Sequence, residues 1–259
     1  MEYKNIVVEV GEDHVAVITL NRPSKLNTFT VELATELYEA LKDMDKDERV
    51  RVILLKGEGK VFCAGIDVGD FFDKSALEYR EWIEIMERPL VGMAEIKKPV
   101  ITQVHGVAAA NGAGLVAASD LCIAAEGARF GLTAINVGLN CVGPVVPVLR
   151  SVGRKRALEM LLFGDLIPAE DALSMGLINK VVPGEELEDA ARNWACELAK
   201  KSPIAVQLAK RAFYMAEDMD YRQAFAYMNE VFSLLCSTED AKEGVCAFLE
   251  KRKPSWKER

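Results

Sequence analysis

Apolar residues change their spacing along this chain, and each change marks a new element. Ile6 to Val10 and Val15 to Leu20 are β-branched runs on either side of Gly11-Glu12-Asp13-His14, a pattern that predicts a hairpin. Asn21-Arg22-Pro23-Ser24 stops the second strand. From Thr30 the spacing lengthens: Leu33, Leu37, Ala40 and Leu41 recur at helical intervals through Met44. Val50 to Leu55 is an unbroken apolar run ending at Gly57-Glu58-Gly59, as expected of a strand covered on both faces. A similar succession follows. Pro99 to Val104 predicts a strand, Gly106 to Gly114 a turn-like stretch, and Leu115 onward a short helix ending near Asp120. Leu121 to Ala125 predicts another strand and Arg129 to Leu132 a further edge. This β-β-α alternation predicts an α/β fold of stacked units.

Beyond Arg154 helical spacing dominates, over Lys155–Phe163, Ala169–Met175, Leu187–Lys200, Ile204–Ala216, Tyr221–Leu235 and Glu239–Leu249. Val181-Val182-Pro183-Gly184 supplies one last strand end. The chain therefore divides near 195, into a core over 1–195 and an all-helical region over 196–259. Such a tail is suited to packing subunits together.

Composition narrows the function. Half of the 259 residues are apolar and 28% are charged, as in an ordinary globular protein. The net charge of −8 and the lack of a long basic run exclude nucleic acid as a partner, while a phosphorylated ligand stays open. The start Met1-Glu2-Tyr3-Lys4-Asn5 does not read as a secretion signal. Nothing approaches the ~18 apolar residues of a membrane span, so no membrane partner is expected. The six cysteines follow no CxxC spacing, and with two histidines in the chain no metal site is expected. Scattered cysteines fit a reducing, cytoplasmic setting.

Two segments draw attention because their chemistry lies in the backbone. Val61-Phe62-Cys63-Ala64-Gly65-Ile66-Asp67 follows a buried strand and holds no nucleophile with a partner; Cys63 reads as structural. Gly65 permits a tight turn that exposes the N–H groups after it. In His105-Gly106-Val107-Ala108-Ala109-Ala110-Asn111-Gly112-Ala113-Gly114, six of ten residues are Ala or Gly, so backbone can approach a ligand closely. A helix starting there would offer free N–H groups and a dipole to negative charge. Close packing without a ligand explains the same residues, and His105 alone reads as structural. Gly112-Ala113-Gly114-Leu115-Val116-Ala117 also fits a dinucleotide pattern, but the acidic residue due about 20 residues later is missing.

Taken together, these segments resemble the crotonase superfamily, the enoyl-CoA hydratase/isomerase family. Asn21-Arg22-Pro23 with Leu26-Asn27, Phe62 to Asp67, His105-Gly106, Ser119-Asp120, Ala128 to Gly131, Val137-Gly138-Leu139 and Val181-Val182-Pro183 carry the likeness in order. Phe248 to Pro254 closes it. The resemblance implies a spiral of β-β-α units with an all-helical C-terminal oligomerisation region, assembling as a homotrimer or dimer of trimers. It implies an acyl-CoA thioester substrate and no cofactor, coenzyme A being part of the substrate. It places the backbone N–H groups of Ile66 and Asn111 on a thioester oxyanion, with Ala64, Gly65, Asp67 and Ala110 around them and Ser24, Lys25 and Leu26 toward the nucleotide.

The likeness breaks where hydratases of this family carry their two glutamates, since Gly114 and Ala134 stand at those positions. Neither moves a proton, and adding water across a double bond needs acid–base chemistry. Asn136, Asn140, Cys141 and Asp70 are the polar candidates left near the acyl pocket. Asp67 reads as a structural hydrogen-bonder and Asp73 as an exposed charge, while Met86 and Trp82 read as lining or core. Hydration, double-bond migration and a non-catalytic or editing acyl-CoA binder all remain open.

Overall fold

A computed structural model describes residues 3–257, the side chain of Asp70 excepted. The chain runs β1 (Ile6–Val10), β2 (Val15–Leu20), α1 (Val31–Lys46), β3 (Val52–Gly57), α2 (Ala76–Glu95), β4 (Val100–Val104), β5 (Val107–Ala109) and α3 (Asn111–Ala118). There follow β6 (Leu121–Ala125), β7 (Arg129–Gly131), α4 (Val145–Phe163), β8 (Ile167–Pro168), α5 (Ala169–Ser174) and β9 (Lys180–Val182). The remaining helices are α6 (Leu187–Ala199), α7 (Pro203–Ala216), α8 (Tyr221–Ser237) and α9 (Glu239–Leu249).

Six strands form one sheet in the order β1-β2-β3-β4-β6-β9, antiparallel at β1–β2 and parallel thereafter. A smaller sheet follows the order β5-β7-β8. Side chains alternate across a strand, so β2 sends Ala16, Ile18 and Leu20 to one side and Val15 and Val17 to the other. The first set joins the main core with Leu33, Leu37 and Leu41 of α1. The second packs against Leu187, Ala191 and Ala195 of α6. Both faces are covered, which is why the strands read as continuous apolar runs. Two units, β4-β5-α3 and β6-β7-α4, each place a strand in the large sheet, a short one in the small sheet, and then a helix. Position 195 falls inside α6, and three helices, α7 to α9, follow it.

The structure departs from the sequence expectations at three places. The Gly106–Gly114 stretch is not simply a turn. Val107–Ala109 pairs in parallel with Arg129–Gly131, and α3 begins at Asn111 rather than Leu115. Small side chains let two backbones approach there, and Ala108 also bridges Cys63. Helix α4 begins at Val145 and bends at Gly153 (φ 76°, ψ 166°). Finally, α2 is a 20-residue helix, started by a capping box in which Ser75 and Glu78 satisfy each other's backbone N–H. Its buried face is Met86, Pro89, Leu90, Gly92 and Met93, set against α1 and α3.

In the C-terminal region α8 buries no residue at all. Phe225, Phe232, Leu234, Phe248 and Leu249 stand exposed on α8 and α9. Among the described residues no helix is long and apolar enough to cross a membrane.

Candidate active site

Two backbone bends come into contact at the centre of the fold. Gly65 has φ 111°, a conformation that suits glycine, and Ala110 has φ 48° and ψ −113°, which is unusual for a residue with a Cβ. A Cβ added at Gly65 would lie 3.0 Å from the Ala110 Cβ and 3.4 Å from the Ala109 carbonyl oxygen. Each bend turns the next peptide out of its pairing. Phe29 N–H donates to Gly65 O and Asp67 N–H donates to Phe29 O, so the bridge passes over Ile66 N–H. Ala110 N–H donates to Gly131 O and Gly114 N–H to Ala110 O, while Asn111 N–H stands at the first turn of α3 with no helical acceptor. Among the described residues neither the Ile66 nor the Asn111 N–H makes a backbone hydrogen bond.

Both residues line one cavity of about 710 Å³, whose wall is mainly apolar: Val68, Phe71, Trp82, Ile83, Val137 and Leu139 among others. Of the residues expected there from sequence, Ala64, Ala110, Ala134, Asn140 and Cys141 also line it. The Asn111 side chain is buried and donates from Nδ2 to the Met86 carbonyl, 3.3 Å away, fixing the start of α3 to α2. Position 114 is closely packed: a Cβ there would lie 2.7 Å from Leu90 Cδ2 and 3.0 Å from Pro144 Cβ, so a side chain would need the Leu90 methyl group to move aside.

Of the other polar candidates, Asn140 and Cys141 stay on the cavity wall and Asn136 does not. Asn136 donates to the Gly164 carbonyl (3.0 Å) and does not line the cavity. Asn140 Oδ1 accepts from Cys141 N–H at 2.8 Å. The side chain of Asp70 lies outside the described residues. Burial pushes the Cys141 thiol up, and the Cys63 thiol, fully buried, up to about 12. Neither is a thiolate at neutral pH. His105 Nε2 meets the Gly59 carbonyl at 2.9 Å, a structural contact. Ser24, Lys25 and Leu26 form an exposed turn, and the Leu26 carbonyl accepts from Ala64 N–H (3.0 Å). This ties the turn to the cavity rim.

Asp67 staples the first bend. Its carboxylate accepts from Gly69 N–H (3.1 Å) and from Arg22 (3.2 Å), and these bonds, the Gly69 one foremost, hold its pKa below the ordinary carboxylate range. A folded-state value below the unfolded one contributes stability above the unfolded pKa, which is lost as pH falls through the folded pKa. Asp67→Asn is therefore expected to cost about 1 kcal/mol in urea unfolding at pH 7. The gap to wild type should close in acid. A gap that stays constant down to low pH would remove the carboxylate's charge from the account.

Sequence reasoning passed over one carboxylate. Glu87, half-buried on α2, lines the cavity beside Gly143 and Pro144. Its available signal was the Ser75-x-x-Glu78 capping box, which starts the helix that carries it.

Against this geometry the likeness to known proteins is decisive. Residues 11–259 match the enoyl-CoA hydratase/isomerase family. The chain belongs to that family. It is 33% identical over 255 residues to the short-chain-enoyl-CoA hydratase of Clostridium acetobutylicum, covering 98% of this chain and 97% of that one. To the crotonyl-CoA hydratase of Syntrophomonas wolfei it is 34% identical over 258 residues, covering 99% of each. The crystal structure of an enoyl-CoA hydratase from Mycobacterium smegmatis superposes with a TM-score of 0.95 at 36% identity, over 98% of this chain and 99% of that one. The fold is the mixed α/β crotonase fold with a helical C-terminal region, and the family is one of acyl-CoA-processing enzymes.

Proposed function

We propose that this enoyl-CoA hydratase/isomerase family member forms and reprotonates a thioester enolate, holding the charged oxygen with the N–H groups of Ile66 and Asn111. The observation that carries this reading is the pair of N–H groups left without backbone partners, each following a positive-φ bend, on the wall of one apolar cavity. Charge on a thioester oxygen placed there would meet donors already fixed in direction, and each such donor is worth ~3–4 kcal/mol of barrier. The apolar wall strengthens that attraction by excluding water. The exposed turn at Ser24, Lys25 and Leu26 is placed at the rim to meet the nucleotide of coenzyme A, with Lys25 as the cation. The chemistry calls for no further cofactor. The unburied α8 and the aromatic residues beside it favour self-association, as a trimer or a pair of trimers.

Wild-type protein incubated in D2O with short and branched enoyl-CoA thioesters is expected to incorporate deuterium next to the thioester carbonyl, read by mass spectrometry. A specific observation favours a second reading, a binder that keeps the pocket without turnover: Gly114, packed beneath Leu90, and Ala134 on the cavity wall carry no group that moves a proton. Tight binding of thioesters with no deuterium incorporation would establish that second reading and end the first.

A further inference from the structure

The geometry points to Glu87 as the group that moves the proton, by taking it from one carbon of an enoyl thioester and returning it to another. This rests on the enolate reading above and deepens it.

The first support is position. Glu87 lies on α2 next to Met86, whose carbonyl holds the Asn111 side chain, so it stands one residue from the element that fixes the second donor. It lines the same cavity as Ile66 and Asn111, and it is the one carboxylate among the described side chains that do so. The second support is the shape around it. A Cβ at position 143 would overlap the Glu87 carboxylate, so the bare Cα of Gly143 is what leaves the group its place. One turn further along α2, Leu90 fills the space over Gly114 together with Pro144, the residue after Gly143. Helix α2 and the Gly143-Pro144 corner thus occupy the space over Gly114 of α3 and bring a carboxylate from α2 into the same wall.

The third support is its chemical state. Glu87 makes no hydrogen bond or ion pair among the described residues, an expensive arrangement for a half-buried carboxylate with only a structural role. Burial, and secondarily the nearby charge of Glu84, push its pKa above the ordinary glutamate value, toward the range a proton shuttle needs. Glu87 also lines a second cavity of about 450 Å³.

A single carboxylate selects among reactions. Addition of water needs one group to activate the water and another to protonate carbon. Double-bond migration needs one group used twice. The Glu87 carboxylate takes a proton from the α carbon of a β,γ-enoyl thioester, and the C–H electron pair becomes a dienolate whose charge rests on the thioester oxygen. The carboxylic acid then returns the proton to the γ carbon, giving the α,β-enoyl thioester. No electron is gained or lost overall. The substrate class is therefore a β,γ-enoyl-CoA, converted to its conjugated isomer.

The test compares wild type, Glu87→Gln and Glu87→Asp on 3-hexenoyl-CoA, following the conjugated product and deuterium incorporation in D2O, with thioester affinity measured by calorimetry. Glu87→Gln is expected to slow both readouts at least ~100-fold, the scale of general acid–base catalysis, with affinity changed less than about threefold. Glu87→Asp should keep part of the rate. A Glu87→Gln rate within about threefold of wild type would overturn the role of Glu87 and leave the enolate reading intact. Loss of affinity in parallel with rate would also overturn it, by making the residue structural. Absence of both the conjugated product and deuterium incorporation in wild type would overturn both.

Discussion

Asn111→Pro is expected to lower turnover of an enoyl-CoA thioester by about 10²–10³-fold, the cost of one lost oxyanion donor. Proline removes the backbone N–H and nothing else from the main chain. The first position of a helix is where a helix tolerates proline, because that N–H has no helical acceptor. Ala110, with ψ −113°, already lies outside the α region that a following proline disfavours. Asn111→Ala is the matched control: it deletes the Nδ2 bond to Met86 and keeps the N–H. The proline variant should bind thioester within a few-fold of wild type and fail in rate, with the alanine variant far closer to wild type. Equal rates for the two variants would remove the position 111 amide from the chemistry.

The largest stability effect is expected at Lys210→Met. Lys210, only 8% exposed, sends its Nζ from α7 to the Met93 carbonyl (2.7 Å), the Lys98 carbonyl (2.9 Å) and Asp120 (2.8 Å). Asp120 in turn accepts from Val100 N–H (2.6 Å) and the Tyr214 hydroxyl (3.0 Å). One ammonium thereby joins α7, the end of α2 and the edges of β4 and β6. Methionine matches the length of the stem but strands the carboxylate and two carbonyls, and breaking a buried pair costs about 3–5 kcal/mol. For a chain of this size that is a fall in Tm of roughly 10 °C. The double variant Lys210→Met with Asp120→Asn should recover part of the loss, because the stranded charge is gone. A single variant melting within 2 °C of wild type would show that water reaches Asp120 and that the junction carries little.

How far the sequence reaches can be seen by following α2. Strands β2, β3 and β4 announce themselves as apolar runs because the sheet is covered there on both faces. Helices α6 to α9 announce themselves because their periodic spacing is uninterrupted. Helix α2 does neither: Pro89 sits inside it, and its core stripe of Met86, Leu90 and Met93 lies among charges. The opening of α4 is hidden by Val145-Val146-Pro147-Val148, which reads as a strand with a breaker. In the site, the bends at Gly65 and Ala110 were legible through their small residues. Glu87 was not, since its meaning comes from Gly143 and Gly114, residues 56 and 27 positions away in sequence that only packing brings near.

The two touching bends have a consequence for how such a scaffold changes over time. Every amino acid but proline offers the same amide at positions 66 and 111, so drift in their side chains would leave the proposed anion seat intact. What must be kept is the pair of kinks that aim it. On the proposed chemistry, a lineage could exchange an acid on α3 for one on α2 without rebuilding the place where the charge would rest.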